Sequence, residues 1–278
     1  MKLTSSAKKR IFSRISYHAV YDDSILDALA YAHDNGFAGI QLATDSPHLS
    51  FESLSESSIQ KINSLLSSKN MYITIHAADE AISLYTHSHY LRNGMKDYCR
   101  AMFEFAMRIK APLVTIHMGS PAEFRTDMNP EAVMPKADIL HYRNVVNENL
   151  VKMMEMVDNR FILCVENFQL NEISIGIIKR YLKSNELSLC WDIAKSHNNP
   201  GEEKFILSNK SNIKQVHLHD VRHNPDGSVR SHCVIGSGEL DFRNNLSKIV
   251  DADMIDYCIE VRPREKAKES LETLKSIL

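Results

Sequence analysis

Ionisable side chains end six separate apolar segments of this 278-residue chain. The six endings read Ile75-His76, Ile116-His117, Val165-Glu166, Trp191-Asp192, Val216-His217 and Ile259-Glu260. If they meet in the fold, the three carboxylates would repel one another strongly unless a cation neutralised them. Glu166, Asp192, His217 and Glu260 form an oxygen-rich set suited to Mn²⁺, Mg²⁺ or Co²⁺. Adding His76, His117 and His232 shifts the set toward Zn²⁺, so the pattern predicts a divalent-metal site.

The elements that carry these groups alternate regularly between two types. Short apolar, β-branched segments predict strands, and the longer stretches between them have helical periodicity. The predicted strands are Ile11–Tyr17, Phe37–Ala43, Met71–Ala77, Leu113–Met118, Phe161–Asn167, Leu187–Ile193, Ile213–His219 and Tyr257–Val261. Eight such units without a G-x-G-x-x-G phosphate loop favour a single α/β (β/α)8 TIM barrel over residues 1–278. In that fold all strands end at one rim, so the six ionisable groups converge.

Several helix and loop boundaries can also be read from the sequence. Asp23 or Ser24 is placed to cap a helix that stops at Gly36. Further helices are predicted over His89–Lys110, Ala137–Asp158 and Glu265–Leu278. Two long irregular stretches, Gly119–Pro135 and Val221–Gly238, follow strands. Long loops after strands mark the functional face of such a barrel.

The bulk composition narrows the class of protein. The formal net charge is −2, which disfavours a nucleic-acid partner but leaves one open. No stretch approaches the ~18 apolar residues of a membrane span. The five cysteines form no C-x-x-C pair, and Cys164, Cys190 and Cys258 lie in apolar segments. They predict reduced, buried thiols and a cytoplasmic protein.

At this point the sequence resembles a known group, the xylose isomerase-like TIM barrel superfamily. This group holds sugar and sugar-phosphate isomerases and epimerases and the type-four apurinic (AP) endonucleases. The resemblance lies in seven ordered fragments, namely Gly36-Phe37-Ala38-Gly39-Ile40, Thr74-Ile75-His76-Ala77, Ile116-His117-Met118-Gly119-Ser120, Val165-Glu166-Asn167, Trp191-Asp192-Ile193, His217-Leu218-His219-Asp220 and His232 through Phe242. Each fragment is weak alone, but their order along the chain makes a strong signal for the fold.

The resemblance implies roles for the matching positions. Those that match the four metal ligands of the epimerases are Glu166, Asp192, His217 and Glu260, and the two glutamates match the acid–base pair. His76, His117 and His232 match further zinc ligands of the endonucleases. Two positions depart from the endonuclease pattern, because Lys195 and Arg230 stand where that pattern has a histidine and an aspartate. Cationic side chains are poor ligands, so the departures favour one metal ion over three.

The first functional hypothesis is a metal-dependent isomerase or epimerase of a small sugar or sugar phosphate. A divalent ion would polarise a carbonyl group and acidify the neighbouring C–H. Glu166 and Glu260 would then remove and return the proton. Substrate-binding roles are predicted for four further residues, His219, Lys195, Arg222 and Arg230, the three cations being suited to a phosphate or carboxylate.

The second hypothesis is a zinc phosphodiesterase acting on abasic DNA, as in endonuclease IV. His76, His117 and His232 favour it, because sites with several metal ions clamp the attacking and leaving oxygens of a phosphodiester. A dehydratase on the same rim stays open as well. The resemblance further implies a tendency to form homo-oligomers. The substrate itself lies beyond the sequence, because loops set it on a shared fold.

Several other residues have predicted supporting roles. His18 ends the first predicted strand, where it lines the pocket or serves as a structural histidine. Strand alternation predicts that Trp191 points away from the barrel axis toward the helices. Asn167, Asp220 and Arg262 are placed to orient the ligands. Four histidines, His87, His89, His141 and His223, are predicted to lie on the surface.

Overall fold

Eight parallel strands close into a barrel in the computed structural model, which describes residues 3–78, 81–121, 134–197 and 199–278. In chain order the strands are β1 (Ile15–Ala19), β2 (Gly39–Ala43), β3 (Tyr72–His76), β4 (Leu113–Ile116), β5 (Ile162–Glu166), β6 (Ser188–Asp192), β7 (Ile213–Leu218), β8 (Asp220–His223), β9 (Val229–Cys233) and β10 (Asp256–Ile259). The order around the barrel is β1-β10-β7-β6-β5-β4-β3-β2, while β8 and β9 form a separate antiparallel pair. The predicted (β/α)8 barrel is confirmed.

Helices connect the strands and cover the barrel. Their bounds are α1 (Ser5–Phe12), α2 (Ile25–Asp34), α3 (Glu56–Lys69), α4 (His89–Arg108), α5 (Lys136–Val157), α6 (Glu172–Lys183), α7 (Ile193–His197), α8 (Pro200–Ser208), α9 (Phe242–Ser247) and α10 (Arg264–Ile277). Ser24 is the N-cap of α2, since its side chain accepts a hydrogen bond from the backbone N–H of Asp27. Gly36 follows that helix with a φ of +79°, a conformation that favours glycine. The helices α4, α5 and α10 lie within two residues of their predicted bounds.

The predicted first strand, Ile11–Tyr17, is wrong at its start. Ile11 and Phe12 are the last two residues of α1, and β1 begins only at Ile15. The Thr4 side chain caps α1, and Ala7 and Ile11, four residues apart, are buried along one side of the helix. A short apolar segment fits a helix end as well as a strand, and here the cap decides between them.

The predicted irregular stretch Val221–Gly238 is also corrected, because it contains most of the hairpin of β8 and β9. The segment that follows this hairpin is held at the hairpin's root by Asp220, whose carboxylate accepts hydrogen bonds from the backbone N–H groups of Gly236, Gly238 and Leu240 at 2.8–3.1 Å. Gly238 is needed there, since a Cβ would lie 2.4 Å from an Asp220 oxygen. The other predicted stretch, Gly119–Pro135, lies mostly outside the described residues, which omit 122–133.

The two faces of the barrel strands differ in chemistry. Apolar side chains such as Ile40, Leu42 and Val216 belong to the large core that the strands share with the helices. The side chains between them point into the barrel and are polar at many positions. Such interiors are usually filled by Val, Ile and Leu, so this one is unusual.

A connected set of hydrogen bonds fills the interior, centred on Asp256. This fully buried carboxylate accepts hydrogen bonds from Ser16 at 2.7 Å, Tyr72 at 2.8 Å, Thr74 at 3.2 Å and Gln215 at 2.6 Å. A buried carboxylate is costly unless it is well hydrogen-bonded, and four donors meet that need. Asp256 therefore fixes the side chains around it.

Within the described part of the chain, no helix is both long and apolar enough to cross a membrane. The five cysteines are free, and Cys164, Cys190 and Cys258 are buried as predicted. Trp191 is fully buried, and its indole N–H donates to the Ser196 hydroxyl at 2.8 Å. It packs in the core shared by strands and helices, in agreement with its predicted direction.

Candidate metal centre

Four of the predicted ligands meet at the carboxyl-terminal rim of the barrel. Glu166 ends β5 and Asp192 ends β6, while His217 lies in β7 and Glu260 directly follows β10. One ligand atom from each lies within 4.8 Å of the others, and all four residues are buried. His217 stands between the two glutamates, with its Nδ1 atom 3.3 Å from Glu166 Oε2 and 3.4 Å from Glu260 Oε2.

The three additional predicted histidines join the same cluster. His76 Nε2 lies 3.1 Å and His117 Nε2 3.0 Å from Glu166 Oε2, so both imidazoles share one oxygen of that carboxylate. His232, on β9, brings its Nε2 to 3.4 Å from Glu260 Oε1. The hairpin therefore returns a residue to the rim from outside the barrel. All seven predicted ligands lie together.

The unpaired atoms of this cluster fit a divalent cation. His217 Nδ1 and Glu260 Oε2 are buried and have no hydrogen-bond partner among the described residues. They face each other beside two further carboxylates, where a cation would satisfy several acceptors at once. Carboxylate and imidazole groups are ordinary ligands of Mn²⁺, Co²⁺ and Zn²⁺. The residues present therefore fit such an ion.

Lys195, predicted to bind substrate, lies directly on the carboxylates. Its ammonium group contacts Glu166 Oε1, and it lies 3.3 Å from Asp192 Oδ2. The same group stands 4.7 Å from the centre of the Phe168 ring, a favourable cation–π distance. The turn into α7 brings it there, since the backbone N–H of Lys195 also binds Asp192 Oδ1 at 3.0 Å. One face of the cluster thus carries a fixed positive charge.

His219 belongs to the cluster as well, beside the candidate ligands. Its Nε2 lies 3.1 Å from Asp192 Oδ2 and 4.0 Å from Glu260 Oε2. Its ring stacks on His232 with 4.3 Å between centroids. His219, His232 and Glu260 form a second group with geometry suited to a metal ion. A third such group contains His76, Glu166 and His217.

The two predicted arginines are not brought into the cluster. Arg222 and Arg230 are both exposed and stand opposite each other on β8 and β9. Arg222 donates to the backbone carbonyl of Ser237. Neither guanidinium forms an ion pair with a carboxylate in the described part of the chain. The hairpin carries them outward, whereas it carries His232 inward.

The charges of the cluster shift the pKa values of its acids. Burial alone would raise the pKa of Glu166, but the Lys195 ammonium and then the imidazoles of His217 and His117 outweigh it and hold the pKa well below its usual range. The same balance, with His217 as the main neighbour, lowers the pKa of Glu260. Burial lowers the pKa of Lys195, yet the carboxylates raise it well above its ordinary value. The carboxylates are therefore ionised near neutral pH.

Replacing Lys195 by methionine should make the metal-free protein unfold at higher pH on acid titration. A folded-state pKa below the unfolded value means that ionised Glu166 contributes stability above the unfolded pKa of ~4.3. That contribution is lost as the pH falls through the lower, folded-state pKa. Without Lys195 the pKa of Glu166 rises, so we expect the midpoint to move up by about 0.5 pH unit or more. Circular dichroism during an acid titration measures it.

Lys214→Met is the matched control for this test. Lys214 has a similar exposure, 20% against 22% for the Lys195 side chain, but pairs with the exposed Asp253. Exposed pairs contribute little to stability, so the control midpoint should stay at the wild-type value. Equal midpoints in all three proteins would contradict the charge balance described above.

Sequence reasoning missed two glutamines beneath the candidate ligands. The side-chain N–H of Gln215 donates to Asp256, and its Oε1 accepts a hydrogen bond from Gln41 Nε2 at 3.1 Å. The same Gln41 nitrogen lies 3.1 Å from His217 Nε2. A chain of contacts thus links Asp256 to the ring of His217. Counting back two residues from His217 along its strand would have identified Gln215 as inward-facing.

The three predicted supporting residues have different positions. The side chain of Asn167 forms two hydrogen bonds with the backbone of Asp192. It donates to the Asp192 carbonyl at 3.1 Å and accepts from the Asp192 N–H at 2.7 Å. Arg262 donates to Glu260 Oε1 at 3.3 Å. Asp220 instead organises the hairpin and its return loop. As predicted, the remaining four histidines, His87, His89, His141 and His223, are exposed.

The chain is similar to a known protein family, to a protein of another organism and to several solved structures. The model of the family described as xylose isomerase-like TIM barrel matches residues 29–277. An uncharacterized protein of Methanocaldococcus jannaschii, MJ1614, is 24% identical over 218 residues, which cover 77% of this chain and 80% of that protein. Among solved structures, a D-tagatose 3-epimerase-like protein has a TM-score of 0.72 at 18% identity, covering 95% of this chain and 96% of that one.

Endonuclease IV from Thermus thermophilus is similar to nearly the same degree. Its TM-score is 0.69 at 16% identity, with 95% of this chain and 98% of that chain covered. At such identities the likeness to solved structures shows the fold alone. The fold is therefore shared with both an epimerase-like protein and an endonuclease.

Proposed function

Because the chain belongs to the xylose isomerase-like TIM barrel family, we propose that it is a metal-dependent isomerase or epimerase of a small sugar or sugar phosphate. One observation carries the proposal. Two buried glutamates, Glu166 and Glu260, flank His217 at 3.3 and 3.4 Å within a single candidate metal site. A pair of carboxylates around one position is suited to the removal and return of a proton on a carbon.

The metal ligands in this proposal are Glu166, Asp192, His217 and Glu260. A divalent ion bound there supplies Lewis acidity, which polarises a substrate carbonyl and acidifies the adjacent C–H. Asn167 holds the Asp192 backbone, and Gln41 contacts the far nitrogen of His217. These contacts orient two of the ligands before any ion binds.

The two glutamates differ in how freely they can accept a proton. Glu166 is engaged on both oxygens, by Lys195 on one and by imidazoles on the other. Glu260 keeps its Oε2 without a hydrogen bond among the described residues. We assign removal of the substrate proton to Glu260 and its return on the other side to Glu166.

Substrate size and charge follow from the enclosure and the cations. Glu166 and Asp192 are 0% exposed and Glu260 4%, which favours a small molecule over a polymer. Lys195 supplies a positive charge beside the candidate ligands and is assigned to a hydroxyl, carboxylate or phosphate oxygen of the substrate. His219 borders the same space. Arg222 and Arg230 remain predictions, suited at most to the outer part of a substrate.

A second candidate function, hydrolysis of abasic DNA, is favoured by one observation. His76 and His117 both lie on Glu166 Oε2, an arrangement that a single-ion isomerase does not need. Several ions would clamp both oxygens of a phosphodiester. The position of Lys195 disfavours hydrolysis of abasic DNA. Its ammonium group lies at the edge between Glu166 and Asp192, where a further metal ion would need a ligand.

The deciding experiment incubates the metal-loaded protein in D₂O with D-tagatose, D-allulose or L-ribulose. We expect deuterium at the carbon next to the carbonyl, detected by NMR, and formation of the epimer or isomer. Chelation should abolish the exchange, and Mn²⁺, Co²⁺ or Zn²⁺ should restore it. Cleavage of an abasic oligonucleotide without any sugar exchange would instead establish the second candidate. Loss of water from the sugar would identify a dehydratase.

A further inference from the structure

His18 lies near the carboxyl end of β1, beside residues of the candidate centre. Its side chain is 5% exposed, and its Nδ1 lies 3.5 Å from Glu260 Oε1. Its ring stands 5.5 Å from that of His76, measured between centroids. The imidazole is thus placed between two groups of the cluster, on the barrel strand adjacent to Glu260.

The position of the hydrogen on this ring follows from Arg262. Arg262 Nη2 lies 3.1 Å from His18 Nδ1, with the geometry of a hydrogen bond. A guanidinium can only donate, so Nδ1 must be the acceptor. The same Nη2 carries a second hydrogen, which goes to Glu260 Oε1 at 3.3 Å. The hydrogen of the neutral His18 ring therefore sits on Nε2.

This Nε2–H group has no partner within the described part of the chain. It is a buried atom without a hydrogen bond among those residues. A buried donor left unsatisfied is costly, of the same order as a lost hydrogen bond, and such groups in native proteins call for an explanation. A ligand oxygen reaching the enclosure would satisfy it.

We propose that His18 is a substrate-binding residue whose Nε2–H donates to a hydroxyl or carbonyl oxygen of the sugar next to the carbon that Glu260 deprotonates. The inference rests on the proposed function. It adds a contact from β1 to those expected from the other strands. Its donor direction is set in advance by Arg262, so the contact needs no rearrangement when substrate enters. Preorganised donors of this kind lower the cost of binding.

Two amide substitutions distinguish the roles of the two ring nitrogens of His18. His18→Asn reaches only the Nδ1 position, where its oxygen still accepts from Arg262, and it lacks the outer donor. His18→Gln is longer and places an N–H near the Nε2 position. With the ketose from the D₂O experiment, we expect His18→Asn to lose about 10- to 100-fold in kcat/KM, mainly through KM. His18→Gln should stay within about 5-fold of wild type.

Metal content and the ring tautomer supply readouts that do not depend on turnover. Both variants should bind as much Mn²⁺ or Zn²⁺ as wild type, because the donor faces substrate. Nitrogen-15 NMR of imidazole-labelled protein, assigned by the signal lost in His18→Asn, should show the Nε2–H form of His18. An Nδ1–H form, or loss of metal in His18→Asn, would overturn the inference.

The failures of the two proposals can be told apart. Wild type that exchanges deuterium while His18→Asn does so equally well overturns the His18 inference and leaves the proposed function standing. Metal-loaded wild type that exchanges no proton with any of the sugars overturns the proposed function, and the role of His18 falls with it.

Discussion

Replacing Glu260 by glutamine is expected to lower the rate of proton exchange by roughly 10³-fold or more. Glutamine keeps the shape of the side chain and can still accept from Arg262 and contact His232. It cannot take up a proton, and it is a weaker metal ligand than a carboxylate. The measurement is deuterium incorporation into the ketose under saturating Mn²⁺, with metal content determined on the same sample. Saturating metal separates the loss of the base from a loss of ion.

Glu186→Gln serves as the matched control for this substitution. Glu186 is exposed and lies just before β6, at the opposite end of the barrel from the candidate centre. The control should exchange at the wild-type rate. If Glu260→Gln retained a tenth or more of wild-type exchange with full metal content, Glu260 would not be the base. Glu166 would then be the residue to replace next.

Replacing Asp256 by alanine is expected to destabilise the fold by about 3–5 kcal/mol. The substitution removes an acceptor that four donors share in the barrel interior, those of Ser16, Tyr72, Thr74 and Gln215. Ser16 and Thr74 lose their acceptor, while Tyr72 keeps the Arg14 carbonyl and Gln215 keeps the Thr74 hydroxyl. Unfolding in guanidinium chloride, followed by circular dichroism, measures the change. Metal affinity should fall as well, because Gln215 no longer holds Gln41 against His217.

Asp253→Ala is the control three residues away. The Asp253 side chain is 85% exposed and forms only surface ion pairs, so its removal should cost less than about 1 kcal/mol. Comparable losses in both variants would mean that the interior network contributes little. Loss of stability without any change in metal affinity would separate Asp256 from the orientation of His217.

The rim of the site could be predicted because its residues end apolar strands. Glu166 and Asp192 stand directly after residues that must be buried, and parallel strands share one carboxyl-terminal edge. Their meeting therefore follows from topology alone. The same reasoning fails for Arg230, two residues before His232 on β9. Both lie in a stretch with no apolar pattern, and strand alternation alone would place them on the same face. His232 has a φ of +54°, and this break in the extended backbone is not visible in the sequence.

The polar interior was harder to predict, for a physical reason. Gln41 lies within a strand whose other residues are Gly, Ile, Leu and Ala, and both faces of this strand are buried. Burial on both faces hides the alternation that would reveal which side faces the barrel axis. A single glutamine in such a segment carries no sign of its partner. Only closure of the barrel brings Gln41 of β2 and Gln215 of β7 together across its interior.

The hairpin tied down by Asp220 has a consequence for how this protein can diversify. Its root is held by Asp220 through the Gly236–Leu240 segment, and His232 sits near that root rather than at the turn. The turn, residues 224–228, therefore lies away from His232 and the other candidate ligands. Insertions or deletions there would reshape the entrance without disturbing His232. Under the proposed function, the rim could in this way accept substrates of different size while Glu166 and Glu260 stay unchanged.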